Sequence, residues 1–173
     1  MVALPEPLSD SFRSAGRAVE VKGAIMVQSR LAPVGERIVE PMIELARCSK
    51  LDRIIVAGAN SAALMFELHR RGYARVATTT NCGLPAGQYD VALVDWRGRS
   101  IKALDTTLDW LIDFLSPAGG MVVWIDPQEP AGNRKLRSLL EKHGLAIEAG
   151  TVRERGCAVS AQRAEIKAIS NVA

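Results

Sequence analysis

The sequence predicts an α/β fold, a mostly parallel sheet with a C-terminal antiparallel hairpin, and three observations carry that expectation. From residue 50 onward, short β-branched runs alternate with amphipathic stretches, which is how βα units read. The run YDVALVDW, Tyr89 to Trp96, is apolar through most of its length and asks for cover on both faces. Two β-rich runs, Leu145 to Arg153 and Cys157 to Arg163, flank the short ERG as hairpin strands do.

Taken in order, the first fifty residues offer a strand at Val19 to Gln28, interrupted by Gly23, and a helix that Pro41 starts and that runs through Cys48. Arg53 to Ala57 reads as the first strand of the repeating pattern. Asn60 or Ser61 caps the next helix, because a short polar side chain there accepts a bond from an otherwise orphan backbone N–H. Leu64, Met65 and Leu68 share one face of that helix, Arg70 and Arg71 sit at its dipole-favoured end, and Gly72 supplies a left-handed stop. A strand at Arg75 to Thr79 follows, then a turn-rich segment, with no room for a helix before Tyr89. Ile101, Leu104, Leu108, Leu111, Ile112 and Leu115 recur at helical spacing, and Ser116-Pro117 closes that helix. After the turn PAGG, Met121 to Ile125 reads as a buried strand. Asn133 caps a helix through His143, and Gly144 ends it.

The 173 residues, 48% of them hydrophobic, suffice for one sizeable core. Lys and Arg number 22 against 19 for Asp and Glu, a net charge of +3 without a long basic block, which gives no argument for nucleic acid. Cys48, Cys82 and Cys157 are odd in number and far apart, so neither a disulfide framework nor a zinc site is suggested and a reducing cytoplasm suits them. The N-terminus lacks a secretory pattern, and no apolar run approaches the ~20 residues of a membrane span. A soluble, cytoplasmic protein is expected.

The order of elements resembles the class I S-adenosylmethionine-dependent methyltransferases. The resemblance rests on RIIVAGANSAALMFELHRRG (53–72), on YDVALVDW, on FLSPAGGMVVW (114–124), similar to that family's helix, Pro-Gly-Gly turn and fifth strand, and on LRSLLEKHGL before the hairpin. It covers about residues 38–163, leaving an N-terminal extension, 1–37, and a tail, 164–173. What it implies is a Rossmann-like methyltransferase fold, shortened between the second and central strands. Residues 75–90 cannot hold the two strands and two helices that the family places there.

The resemblance also locates the residues that would hold a cofactor. The family's acid and Gly-x-Gly-x-Gly turn align with Val56, Gly58, Asn60 and Ala62, and three of these four depart from the pattern. Glycine serves there because it reaches left-handed angles and lets the backbone approach a ligand. The acid that binds both ribose hydroxyls at the end of the second strand is replaced by TTTN, Thr78 to Asn81. Losing two charge-assisted contacts of about 1.5–3 kcal/mol each weakens binding roughly a hundredfold to ten-thousandfold. The cofactor expected is therefore none, or weakly held S-adenosylmethionine, with Gly58, Ala59, Asn60, Ser61, Thr79 and Thr80 as its site, vestigial or working.

Asp95 closes the central strand at its carboxyl end, where open α/β sheets place ligands, and Trp96 follows. In the family that position contributes to substrate binding or proton removal, which makes Asp95 the candidate catalytic residue. The alternative is an aspartate that organises the turn into the next helix, and Asp126 before Pro127 has the same two readings. Arg97, Arg99 and Lys102 beside a Ser100-capped helix read either as an anion site or as a solvated basic loop. His69 and His143 have no acidic partner at ligand spacing in sequence, so no metal site is expected.

Two functions compete. The missing carboxylates, altered glycines and shortened sheet favour a non-catalytic interaction or regulatory module, working through a protein partner or as a homodimer, with the N-terminal segment around Val19 to Gln28 or a second subunit covering the shortened side. The alternative is an active small methyltransferase that binds through main-chain groups at Gly58 to Ser61 and through Thr79 or Thr80. A nicotinamide-binding oxidoreductase would need glycines at Asn60 and Ala63 and lacks its ribose acid too.

Overall fold

The computed structural model describes residues 36–81, 85–126, 130–153 and 156–164. The expected strand at Val19–Gln28, Cys82 and the tail from 165 onward lie outside them. The chain divides into Met1–Ala32 and Pro33–Ala173, and everything described belongs to the second unit.

The first helix, α1 (Glu36–Ala46), contains Pro41 in its interior and not at its start. Ile38, Val39 and Met42 are all buried, and burial of that stripe outweighs the backbone bond that a mid-helix proline removes. The helix also stops earlier than Cys48. Arg47 takes a left-handed φ of 52°, and the Cys48 N–H turns back to the Ile43 carbonyl at 3.2 Å, which together form a C-terminal cap.

Five βα-type elements follow: β1 (Ile54–Gly58), α2 (Ser61–Arg70), β2 (Val76–Thr78), β3 (Tyr89–Asp95) and α3 (Ile101–Phe114). The chain then forms β4 (Leu115–Ile125), α4 (Pro130–Lys142), β5 (Leu145–Arg153) and β6 (Gly156–Arg163). Gly72 does end α2's turn with φ +86°, and the Ser100 hydroxyl accepts from the Ala103 N–H at 3.2 Å to cap α3. Helix α4 begins three residues before the expected Asn133, because Pro130 has the fixed φ that suits a first helical position.

The six strands lie in the order β2-β1-β3-β4-β6-β5. β1 through β4 pair in parallel, and β6 is antiparallel to both β4 and β5. Among the described residues no helix separates β2 from β3, so β2 is left as a three-residue edge, in agreement with the shortening read from the sequence. SPAGG, expected as a plain turn, belongs instead to β4: Tyr89 faces Leu115 and Val91 faces Gly120, so two steps on β3 match five on β4. The extra residues bulge without ending the strand.

Strand alternation sends the two halves of each strand to opposite layers. Ile55, Ala57, Ala92 and Val94 pack with Leu104, Leu108 and Leu111 of α3 and Leu136 and Leu140 of α4. Ile54, Val56, Leu93 and Trp124 pack with Ile38 and Met42 of α1 and Leu64 and Leu68 of α2. Both faces of β3 are covered, as its apolar run demanded.

Candidate functional site

The carboxyl ends of β1, β2 and β3 lie side by side, and register places Gly58 opposite Asp95 and Val56 opposite both Thr78 and Leu93. Gly58 has a φ of +106°. A Cβ added to it would lie 1.9 Å from the Asp95 carbonyl oxygen and 2.7 Å from its carbon. The glycine is therefore required by the approach of β1 to the end of β3. The next N–H, of Ala59, donates to that same carbonyl at 2.9 Å.

Asn60 occupies the N-cap position of α2, with φ −119°, but its side chain does not cap the helix as the sequence suggested. Its Nδ2 donates to Asp95 Oδ2 at 3.0 Å, and that charge-assisted bond fixes the amide in an orientation that leaves its oxygen off the helix end. Ser61 is the first residue of α2 and is half-buried.

Asp95 is fully buried. Its carboxylate is gripped by Arg97, with Nε donating to Oδ1 and Nη2 to Oδ2, both at 2.7 Å. Burial by itself would raise the Asp95 carboxyl pKa, but the bonds from Arg97, and after them the bond from Asn60, outweigh it and hold the group below the usual carboxylate range. The arrangement yields a fixed anion and a poor proton acceptor. Arg97, read from the sequence among free cations, is the partner that sequence reasoning missed. The signal was available in Asp-x-Arg at the end of a buried strand, where an acid needs a cation nearby.

The neighbours of this pair are similarly engaged. Trp96 is buried, its Nε1 donates to the Ser100 carbonyl at 2.9 Å, and the Arg99 guanidinium lies 5.0 Å from its ring centre. Asp126, at the end of β4, accepts from the Gly98 N–H. Both aspartates thus brace the turn into α3, and Arg97 and Arg99 each have a partner where an anion site was one reading. On the other side, Val56 is part of the apolar core. Thr78 is buried and its hydroxyl lies 3.0 Å from that of Thr80, while the Thr79 N–H donates to the Val56 carbonyl at 3.2 Å. Thr80 itself is exposed.

The second histidine did acquire acidic neighbours, contrary to the reading from its sequence surroundings. His143 Nε2 lies 2.7 Å from Asp105 Oδ1, and its Nδ1 lies 3.8 Å from Asp109 Oδ1. These carboxylates come from α3, 38 residues away in the closer case, so local spacing carried no trace of them. The two ring nitrogens face different carboxylates, and Lys142 Nζ holds both oxygens of Asp105 at 3.1 Å. The hydrogen bond from the His143 ring and the Lys142–Asp105 ion pair together clasp α3 to α4.

No protein-family model matches the chain, and no curated protein sequence does. Solved structures do match. The geranyl diphosphate C-methyltransferase of Streptomyces coelicolor A3(2), in complex with Mg2+, geranyl diphosphate and S-adenosyl-L-homocysteine, superposes with a TM-score of 0.60 at 10% identity, over 86% of each chain. The ribosomal protein L11 methylase of Lactobacillus delbrueckii subsp. bulgaricus gives 0.57 at 14% identity, over 75% of this chain and 79% of its own. The [4+2]-cyclase SpnF gives 0.54 at 13%, over 75% and 81%. The likeness at such low identity is one of architecture, and the cyclase shows that the architecture serves more than one reaction. The chain has the fold of the class I S-adenosylmethionine-dependent methyltransferases, shortened between its second and central strands.

Proposed function

We propose that this chain is a methyltransferase-like interaction or regulatory module whose cofactor turn now serves folding. The observation that carries the reading is the closed contact between Gly58 and Asp95. The space that glycine leaves is filled by the Asp95 backbone, and the Asp95 carboxylate is enclosed by Arg97 and Asn60. A working turn would direct its glycine and its N–H groups at a ligand, whereas here the Ala59 N–H is bound to protein. Residues at Val56, Ala62 and Thr78 to Thr80 add no carboxylate for the ribose. These side chains do not fit S-adenosylmethionine well, and Asp95 acts as a structural anchor in this reading and not as a catalytic base.

A protein partner or a second copy would then carry the biological role, and the β2 edge is the side left for it. Such a role is at home in the cytoplasm. Among the described residues no helix is long and apolar enough to cross a membrane.

The second reading, a small active methyltransferase, draws on two observations: one neighbour above was solved with S-adenosyl-L-homocysteine, and Thr80 is exposed beside the turn. Thermal denaturation with S-adenosylmethionine and S-adenosylhomocysteine separates the two. A ligand at a hundred times its dissociation constant stabilises by about 2.7 kcal/mol, which raises the melting temperature roughly 5–10 °C in a chain of this size. No shift at millimolar ligand is expected. A clear shift would establish a working pocket and overturn the module reading.

A further inference from the structure

A groove of about 810 Å3 runs between α3 and α4, on the opposite layer from α1 and α2. Half-buried Ile101 and the edge of the core residue Leu139 form its apolar floor, and Lys102, Arg134, Lys135 and Lys142 surround it. Among the described residues Asp105 is the one acid in its lining. Four cations against one carboxylate leave a local surplus of three.

We propose that this groove docks an acidic amphipathic helix of a partner protein. From Arg134 to Lys142 is eight residues, about 12 Å along a helix axis, so no single small anion reaches all the cations. An elongated acidic surface does. The apolar strip needs an apolar complement, which a helix with leucines at i, i+3, i+4 and i+7 and glutamates on its flanks provides. Nucleic acid is the poorer match, because the described lining residues include no aromatic side chain on which a base could stack. The groove is also shaped in advance: the clasp of His143 and Lys142 on Asp105 holds the two helices together at this position, which lowers the ordering cost of binding. The inference takes from the preceding reading only that the chain works through a protein partner.

The test is fluorescence anisotropy with a labelled synthetic helix of about 14 residues, roughly the length of α4, carrying the leucine stripe and glutamate flanks. Polyglutamate of equal length and a short single-stranded DNA serve as comparison probes. Lys102 and Lys135 are exposed, so the double variant Lys102→Glu/Lys135→Glu keeps the fold, which circular dichroism checks. The amphipathic peptide is expected to bind the native chain, at least tenfold more weakly to the double variant, and more weakly as salt rises from about 0.05 to 0.3 M. Absence of peptide binding, equal binding of polyglutamate, tighter binding of DNA, or indifference to the double substitution would each overturn it. A peptide failure without a thermal shift from S-adenosylmethionine removes this docking site and leaves the module reading intact. A thermal shift removes the module reading whatever the peptide does.

Discussion

A methyl group added at Gly58 meets the Asp95 carbonyl at 1.9 Å on a backbone already at φ +106°. Overpacking and left-handed strain together make Gly58→Ala destabilising by about 3 kcal/mol or more, a fall of roughly 6–12 °C in melting temperature. A thermal melt without any ligand checks this, since the loss comes from strand packing. Asp95→Asn leaves the Arg97 guanidinium largely buried without its anion, and urea unfolding at pH 7 should show a loss of about 3 kcal/mol. The pH dependence follows from the direction of the shift. Asp95 has a folded pKa below its unfolded value near ~3.9, so its contribution is complete above that value and is lost as pH falls through the lower folded one. Native protein should therefore lose stability below about pH 4, and Asp95→Asn should be weaker at pH 7 yet lose less on acidification. Thiol chemistry gives another readout. Burial, and after it Asp52, push the Cys48 thiol up to about 12, and burial raises Cys157 despite Arg137. Iodoacetamide at pH 8 should leave both unlabelled in the native protein and label both in urea, as peptide mass spectrometry would reveal.

At the level of elements, the strands and helices after residue 50 were legible because period and punctuation agreed: Gly72 ended a helix, Ser100 capped one, and YDVALVDW gave the central strand. Where the reading failed, a tertiary force had overridden a local rule. Pro41 marks a helix start by local preference, yet burial of Ile38 and Met42 carries the helix through it. Asn60 is a good cap by composition, yet a buried carboxylate 35 residues away captures its side chain. SPAGG reads as a turn, but pairing with β3 extends β4 through it. The candidate site was half legible. The turn at Gly58 and the strand end at Asp95 could be placed side by side from the order of elements, but the bonds that close Asp95 against Arg97 and join His143 to α3 depend on packing that sequence spacing does not encode. The burial pattern also orders the elements by stability. β3 and the later half of β4 are almost wholly buried, whereas β5 is mostly exposed. Hydrogen exchange read by mass spectrometry should show β3 and residues 121–125 exchanging last, with β2 and β5 opening first.

For the whole molecule, the edge left at β2 sets the terms of association. Phe66 is 68% exposed on α2, the helix packed against β1 and β2. If a second copy covers this side, sedimentation velocity should show a concentration-dependent dimer that Phe66→Ser weakens without altering the fold. A monomer at every concentration, with residues 1–37 exchanging freely, would exclude that arrangement. The closed contact between Gly58 and Asp95 also constrains substitution at the turn. Replacing Asn60 with glycine to open the turn removes a donor from a buried anion, and placing an acid at Thr78 sets a second negative charge at the same end of the sheet. Each of these changes costs stability before any ligand is present. The contact works as an interlock: a substitution that loosens the turn is felt first as a weaker core, so the turn and the sheet beneath it cannot be altered separately.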